Sequence, residues 1–267
     1  IHTIKKPLGV VGLITPWNFP IAIPAWKVSP ALIAGNAVVL KPSDLSPLCS
    51  VRLVECLDEA GVTKGALNLV TGPGRLVGNE LVTNPAVRAI SFTGGETTGN
   101  NIALECAKRR VRCQLEMGGK NPTVVLRDAD IVEAVEIVAN AAFFSTGQKC
   151  TATSRVIVEE PIVDRFTEAL VERARKFKVG NGLDAGIDIG PSVDEGQLKT
   201  VLDYVDIGRK EGAKVALGGA RLAEGVLANG YFSSPAILTE VTPHMRIAQE
   251  EIFGPVAAIM PAKDIDH

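Results

Sequence analysis

Cys150 is the residue of this sequence best suited to covalent chemistry. It lies in the stretch FFSTGQKCTATSR (residues 143–155), between small, polar and basic residues. This setting matches neither the apolar surroundings of a core thiol nor the spacing of a disulfide framework. A nucleophilic cysteine requires a base that removes a proton and hydrogen-bond donors that hold the charge created by its attack.

Spacing alone identifies no partner for Cys150, although two polar residues elsewhere in the chain have side chains of the required chemistry. Glu116 lies at the end of a β-rich run in LEMGGKNP, and Asn18 lies between prolines in PWNFP. We expect Glu116 to be partly desolvated, which would raise its pKa and allow it to accept a proton. A side-chain amide such as that of Asn18 can donate to an oxyanion. From spacing alone, a solvated carboxylate, a turn asparagine and an inert thiol are the alternatives.

The first 119 residues alternate short β-rich runs with helix-like stretches. The runs are VVGLITP, AVVLKPS, ALNLVTG, AISFTGG and CQLEMGG, and two of the helix-like stretches cover 46–61 and 96–109. This alternation predicts βαβ units, a mainly parallel sheet and a doubly wound nucleotide-binding domain. The loops at the carboxyl edge of such a sheet bind ligands.

The pattern changes after Gly119 and predicts a second α/β domain. Helices are expected over 130–145, 161–180 and 194–212, and strands over 155–160, in AKVALGG and YFSSPAILTEV, and over 250–260. We therefore expect a dinucleotide-binding domain over 1–117 and a catalytic domain over 118–267. Because the chain opens without methionine and stops just after a strand-like run, we expect a fragment that lacks the N-terminal part of the first domain and the continuation of the second.

Composition argues against several classes of protein. A formal net charge of −2 provides no basic surface for nucleic acid, and no run reaches the ~20 apolar residues of a membrane-spanning helix. Five cysteines without a CxxC pair favour reduced thiols and a cytoplasmic protein. Three widely separated histidines form no HExxH motif, so we expect no metal site, while a Cys–His protease pair stays open.

Six motifs together resemble the NAD(P)-dependent aldehyde dehydrogenase superfamily. They are PWNFP, KPSDLSP, FTGGETTG, LEMGGKNP, GQKCT and EEIFGPV, and their order and spacing match over nearly the whole chain. The resemblance implies a Rossmann-type doubly wound parallel sheet plus a second α/β catalytic domain, in a homo-dimer or homo-tetramer. It implies oxidation of a small aldehyde to its acid through a cysteine thioester, with hydride transfer to NAD(P).

The resemblance also assigns catalytic roles. Cys150 matches the nucleophile, Glu116 the general base and Asn18 the oxyanion donor. Lys27 in AWKVSP matches a position near the proton path, with an exposed lysine as the alternative. CoA-acylating relatives generally lack the glutamate, so hydrolysis to a free acid is favoured. A CoA-acylating enzyme and a truncated, non-catalytic fragment are the competing interpretations.

The cofactor site implied by the resemblance is spread over several loops, because the GxGxxG fingerprint is absent. Its residues are Ile14, Thr15, Pro16, Trp17, Lys41, Ser43, Asp44, Gly74, Gly78, Phe92, Thr93, Gly94, Gly95, Met117, Glu251 and Phe253. Lys41 matches the residue that reaches the adenosine ribose, and Glu251 and Phe253 match contacts to the nicotinamide ribose and ring.

Two positions depart from many relatives. Gly95 replaces a serine that would contact phosphate, and Asp44 replaces a glutamate. A carboxylate at position 44 favours the ribose hydroxyls of NAD over the 2′-phosphate of NADP. NAD is therefore the expected cofactor. NADP is the alternative, because aspartate is shorter than glutamate and Lys41 and Ser43 could favour the phosphate.

The sequence, especially GQKCTATSRVIVEE and LEMGGKNPTVVL, is most similar to the branch of the family that contains succinate and 2-oxoglutarate semialdehyde dehydrogenases. Such substrates carry a carboxylate that needs a cationic or hydroxyl partner. Arg155, Lys149 and Ser154 are candidates by their position near Cys150, with solvated or structural roles as the alternatives.

Overall fold

Two β-sheets organise the chain, one in each of two units. The structure is a computed structural model and describes residues 1–267. Its internal contacts divide it into the units Ile1–Gly118 and Gly119–His267. No helix combines the length and the apolar character needed to span a membrane.

The first unit contains a five-stranded parallel sheet. Its strands are β1 (Val10–Ile14), β2 (Ala37–Lys41), β3 (Leu67–Leu69), β4 (Val87–Gly94) and β5 (Arg112–Met117). Its helices are α1 (Ala22–Ile33), α2 (Pro47–Glu59), α3 (Asn79–Thr83) and α4 (Glu96–Arg109), with a π-helical turn at Gly74–Gly78. The strand order is β3-β2-β1-β4-β5. The chain therefore adds β2 and β3 on one side of β1 and then crosses to add β4 and β5 on the other side. Ligands bind at such a switch point in doubly wound folds.

Apolar residues cover both faces of this sheet. One core packs α1 and α2 against β1 and β2, and the other packs α3 and α4 against β4. Strands that are buried on both faces need nearly continuous apolar runs, which explains VVGLI and AVVL. The predicted doubly wound parallel sheet is confirmed.

The second unit contains a mixed sheet. Its strands are β6 (Asn121–Val125), β7 (Thr153–Glu159), β8 (Lys214–Leu217), β9 (Ala236–Thr239) and β10 (Val256–Ala262). Its helices are α5 (Ile131–Phe143), α6 (Val163–Ala174), α7 (Glu195–Lys210) and α8 (Arg246–Gln249), with 3₁₀ turns at Phe144–Gly147, Glu160–Ile162 and Gly225–Asn229. The order is β6-β7-β10-β9-β8, and only β8 runs antiparallel to its neighbour. One core contains α5 and α6, and the other contains α7 and α8.

Three predicted segments are shorter in the structure. The helix expected over 161–180 ends at Ala174, because Phe177 turns inward and its ring packs edgewise against Phe143 at a centroid distance of 5.9 Å. The strand expected in YFSSPAILTEV begins only after Pro235, and the strand expected over 250–260 begins only after Pro255. Proline has no N–H group for a sheet hydrogen bond, which suits it to the position before a strand.

Candidate active site

The loop that carries Cys150 follows α5 through an unusual backbone conformation. Three consecutive residues, Ser145, Thr146 and Gly147, have φ angles of 57°, 57° and 64°. Left-handed backbone is disfavoured for residues with a Cβ, so two of these three positions are strained. Such strain persists only where the surroundings hold it, and it clusters at functional sites. Cys150 itself is exposed.

Contacts with residues 190–193 hold the first half of this loop. The Thr146 hydroxyl donates to the Gly190 carbonyl at 3.0 Å. The Gln148 side chain accepts from the Val193 amide at 2.9 Å and donates to the Pro191 carbonyl at 3.3 Å. These three hydrogen bonds stabilise the strained turn before the cysteine.

Gly147 lies against the segment that contains Glu251 and Phe253, the predicted cofactor residues of this unit. A Cβ added at Gly147 would lie 2.1 Å from the Gly254 carbonyl oxygen, so only glycine fits. The neighbouring Phe253 also has a left-handed backbone, with φ of 58°. The Cys150 loop and the segment that contains Phe253 are therefore in direct backbone contact.

Gln197, in the first turn of α7, holds the Phe253 segment. Its Nε2 donates to the carbonyls of Ile252 and Phe253 at 2.9 and 3.0 Å. The Glu251 carboxylate accepts from the Gly119 amide at 3.2 Å. Each end of this short segment is thus held by a hydrogen bond from another part of the unit.

Several charged residues lie near Glu251 and Glu250 and influence one another's pKa values. Arg246 and Tyr204 donate to the Glu250 carboxylate, at 2.8 and 2.6 Å, and lower the pKa of that carboxyl to about 2. The Lys120 ammonium is buried without a hydrogen-bond partner. Burial and the nearby Arg155 lower the pKa of Lys120 to about 8, against the opposing effect of Glu251 and Glu250.

The three candidate anchors for a substrate carboxylate differ in their surroundings. The Arg155 guanidinium donates twice to the Lys120 carbonyl, at 3.1 and 2.8 Å, which is a structural role. The Ser154 hydroxyl donates to the Asn121 carbonyl at 3.4 Å. Lys149 is half-buried, burial lowers the pKa of its ammonium, and it forms none of the ion pairs of the chain.

In the first unit, hydrogen bonds connect Lys27 to Glu116. The Lys27 ammonium donates to Ser91 Oγ at 2.6 Å and to Gln114 Oε1 at 3.0 Å. Gln114 Nε2 in turn donates to Glu116 Oε1 at 2.6 Å. Burial lowers the pKa of Lys27 to about 8, and Glu116 opposes this shift. Lys27 is therefore a half-buried group with defined acceptors rather than a freely exposed lysine.

Glu116 departs from expectation in one respect. The sequence predicted a partly desolvated carboxylate, whereas Glu116 is exposed in this chain. The reason is its position on β5, the edge strand of the sheet, where most residues are solvent-accessible.

The carboxyl edge of the first sheet gathers many of the predicted cofactor residues. Ile14 pairs with Lys41 and with Phe92, and Gly94 pairs with Met117. Beyond β1, Thr15 is buried with its hydroxyl unpartnered, whereas Pro16, Trp17 and Asn18 are half-buried. Thr93 completes the end of β4.

Next to this edge lies a groove of about 640 Å³. Ile14, Gly74 and Gly78 line it, together with Thr98 and Asn101 of α4. Helix α4 begins after Gly95, an N-cap that provides no side-chain hydrogen bond, so its first amides lack an intrahelical or capping partner. The uncapped start of a helix is a favourable place for an anion.

Lys41 is buried and already engaged. Its ammonium donates to the Pro42 carbonyl at 2.7 Å and forms an ion pair with Asp44 at 2.9 Å. The Ser43 hydroxyl accepts from the Leu45 amide at 3.3 Å and closes the same turn. Asp44 thus neutralises the cation that could otherwise attract a phosphate.

Comparison with known proteins identifies the family. The sequence profile of the aldehyde dehydrogenase family matches residues 1–267. The chain belongs to the aldehyde dehydrogenase family. It is 47% identical over 267 residues to alpha-ketoglutaric semialdehyde dehydrogenase of Bacillus subtilis, a match that covers 100% of this chain and 55% of the relative. It is 46% identical over 269 residues to 2,5-dioxopentanoate dehydrogenase of Saccharolobus solfataricus, covering 100% and 55%.

A solved relative has the same fold. The crystal structure of betaine aldehyde dehydrogenase from Staphylococcus aureus in complex with NAD+ matches with a TM-score of 0.94 and 40% identity, over 96% of this chain and 51% of that one. This aldehyde dehydrogenase chain therefore spans about half the length of the relatives that it matches.

Two amide side chains of this aldehyde dehydrogenase chain were missed from sequence. Asn121 lies inside LEMGGKNP and Gln197 follows Asp194 by three residues. The latter spacing indicates a helix N-terminus, and the Asp194 carboxylate does cap α7 by accepting from the Gln197 amide. No sequence pattern predicts that the Asn121 and Gln197 side chains donate to loop carbonyls, because the acceptors are backbone atoms distant in sequence.

Proposed function

We propose that the protein containing this chain oxidises an aldehyde to its carboxylic acid with NAD+. The observation that carries the proposal is the exposed Cys150 on a strained, anchored loop in a member of the aldehyde dehydrogenase family. In this proposal residues 1–117 bind the dinucleotide and residues 118–267 supply the nucleophile.

Cys150 would attack the aldehyde carbon as a thiolate and form a thiohemiacetal. The aldehyde oxygen then becomes an oxyanion, for which the Asn18 amide and the Cys150 backbone N–H are the proposed donors. Loss of one donor of this kind typically costs on the order of 10²–10³ in rate. After hydride loss, the cysteine carries a thioester.

Glu116 would activate the water that hydrolyses this thioester. The hydrogen bonds from Lys27 to Gln114 and from Gln114 to Glu116 support this role, because they hold the Glu116 carboxylate in one orientation as an acceptor. A base for water favours hydrolysis over transfer to CoA, which is the second candidate reaction.

Three features of the first unit suit a dinucleotide. The groove has a volume typical of small-molecule sites, the start of α4 is uncapped, and the buried Thr15 hydroxyl lacks a partner. The proposed holding residues are the predicted set around Ile14, Lys41 and Gly95, with Glu251 and Phe253 of the second unit. When bound, NAD+ accepts the hydride of the substrate. The Lys41–Asp44 pair supports NAD+ over NADP+.

The names of the two relatives support a carboxylate-bearing semialdehyde as substrate. Lys149 is the preferred anchor among the three candidates, because the Arg155 guanidinium already donates to the Lys120 carbonyl.

We further propose that the protein forms a homo-dimer or homo-tetramer, which light scattering can test. The free cysteines support a reducing, cytoplasmic location, testable by cell fractionation.

Full-length protein incubated with NAD+ and a panel of aldehydes should produce NADH. Cys150→Ala should abolish turnover, whereas Cys56→Ala, which removes another exposed thiol, should not. Glu116→Gln should release a single burst of NADH and then stall at the thioester. Turnover that survives Cys150→Ala would disprove the mechanism, and acyl-CoA formation by Glu116→Gln would favour the second reaction. If full-length protein turns over and residues 1–267 alone do not, the chain is a non-catalytic fragment.

A further inference from the structure

A single amide on β6 holds the backbone around Cys150. Asn121 Nδ2 donates to the Cys150 carbonyl at 2.6 Å and to the Ala152 carbonyl at 3.1 Å. A side-chain amide nitrogen has two N–H donors, and both are used here. The two acceptors flank Thr151, so the turn that contains the cysteine is held from one point on the sheet.

This contact complements the hydrogen bonds on the other side of the loop. Residues 190–193 hold Thr146 and Gln148, which precede the cysteine. Pairing between β6 and β7 starts at Thr153, which follows it. Asn121 lies at the start of β6 and bridges the interval between these two anchors.

The local backbone makes such an anchor important. Left-handed residues at 145 and 146 are strained, and a loop that can relax this strain has alternative conformations available. Fixing the Cys150 carbonyl fixes the peptide plane that follows the nucleophile and therefore limits the directions in which its Sγ can point. An error of about 1 Å in the placement of a reacting group can cost on the order of 10² in rate.

We propose that Asn121 is a positioning residue that holds Cys150 in its reactive orientation through the Cys150 carbonyl. The inference rests on the proposed role of Cys150 as nucleophile, but it does not depend on the identity of the aldehyde or the cofactor. Its consequence is specific: reactions of Cys150 that create an oxyanion need the correct orientation, whereas simple alkylation needs only an accessible thiol.

The test compares these two reactions in full-length protein without cofactor. Acylation of Cys150 by a chromogenic acetate ester is followed by stopped flow, and alkylation by iodoacetamide is followed by mass spectrometry. Asn121→Asp replaces the donor by an acceptor that faces two carbonyl oxygens, and Asn121→Ala removes it. Acylation should fall roughly 10- to 100-fold in both variants, while alkylation stays within about three-fold.

Asn68→Asp is the matched control. The Asn68 amide also donates to two carbonyls, those of Val38 and Gly65, at 3.3 and 2.9 Å. Its replacement should leave acylation unchanged. Unaltered acylation in both Asn121 variants would overturn the proposal, and so would a parallel loss of acylation, alkylation and thermal stability, which indicates a purely structural role. Failure of wild-type protein to acylate at Cys150 would instead refute the nucleophile itself.

Discussion

Replacement of Gly147 by alanine tests whether the Cys150 loop depends on its backbone contact with the Phe253 segment. An alanine Cβ would lie 2.1 Å from the Gly254 carbonyl oxygen, 2.4 Å from its carbonyl carbon and 2.9 Å from the Pro255 nitrogen. All three neighbours are backbone atoms, so no side-chain rotation relieves the clash. The φ of 64° at Gly147 adds a conformational penalty for any residue with a Cβ.

The size of the effect follows from these distances. Normal contact requires the two segments to separate by about 1 Å. Left-handed alanine costs ~1–2 kcal/mol and overpacking ~1–3 kcal/mol, so the variant should lose about 2–5 kcal/mol of stability. For a unit of this size the expected decrease in Tm is roughly 5–15 °C. Because the displacement occurs three residues before Cys150, we expect a decrease in kcat on the order of 10².

The assays are differential scanning calorimetry and steady-state NADH formation by full-length Gly147→Ala protein. Gly182→Ala serves as the control, because an added Cβ there has nothing within 4 Å and its φ is not positive. The control should change stability by less than about 0.5 kcal/mol. Wild-type Tm and wild-type kcat in Gly147→Ala would refute the view that this glycine sets the distance between the two segments.

Three further predictions concern charged and polar contacts. Tyr204→Phe removes a 2.6 Å hydrogen bond to Glu250, which directly precedes the proposed cofactor residue Glu251, and should raise the Kd for NAD+ about five-fold by calorimetry, equivalent to about 1 kcal/mol. An unchanged Kd would show that this hydrogen bond does not position Glu251 for the cofactor. Because the pKa of Lys120 falls from 10.5 to about 8, the unfolded chain binds more protons between these values, and the free energy of unfolding should rise with pH across this window by up to about 3 kcal/mol. Denaturant titrations of Lys120→Met should lack this rise, and an identical slope would contradict the assignment. Asp44→Ser frees Lys41 and should shift the ratio of kcat/KM for NADP+ over NAD+ upward by roughly 10-fold, whereas no shift would show that the ion pair does not set cofactor preference.

The helices and strands of both units are largely predictable, because each depends on a local sequence pattern. Helix α4 has the predicted bounds of 96 and 109, since an apolar face begins after a glycine and ends in basic residues. Helix α6 was overestimated because the apolar Phe177 and Val179 continue its pattern, yet both belong to other contacts: Phe177 packs on two aromatic rings, and Val179 forms a bridge with Ile189. Tertiary packing ended a helix that sequence alone would have continued.

The sequence predicts which residues form the candidate site, but not the hydrogen bonds and backbone conformations that hold them. The order of six motifs pointed to Cys150, Glu116 and Asn18, and their individual roles stay predictions. The Lys27–Gln114–Glu116 connection could not be predicted, because it requires α1 and β5 to meet across β4. The left-handed conformation of Phe253 was equally hidden, since non-glycine residues rarely adopt it.

The Cys150 loop and the Phe253 segment of the second unit are held by the same kind of hydrogen bonding. Each contains left-handed non-glycine backbone, and each has a side-chain amide that donates to two nearby carbonyls: Asn121 to those of Cys150 and Ala152, and Gln197 to two in the Phe253 segment. An amide is suited to this task because its nitrogen supplies two donors and stays neutral at every accessible pH. A lysine could donate twice, but its buried charge would demand a counter-ion beside the cysteine. The substitutions Asn121→Asp and Gln197→Glu would turn attraction into repulsion with little change in volume. Donor chemistry, rather than side-chain size, therefore explains why amides occupy both positions.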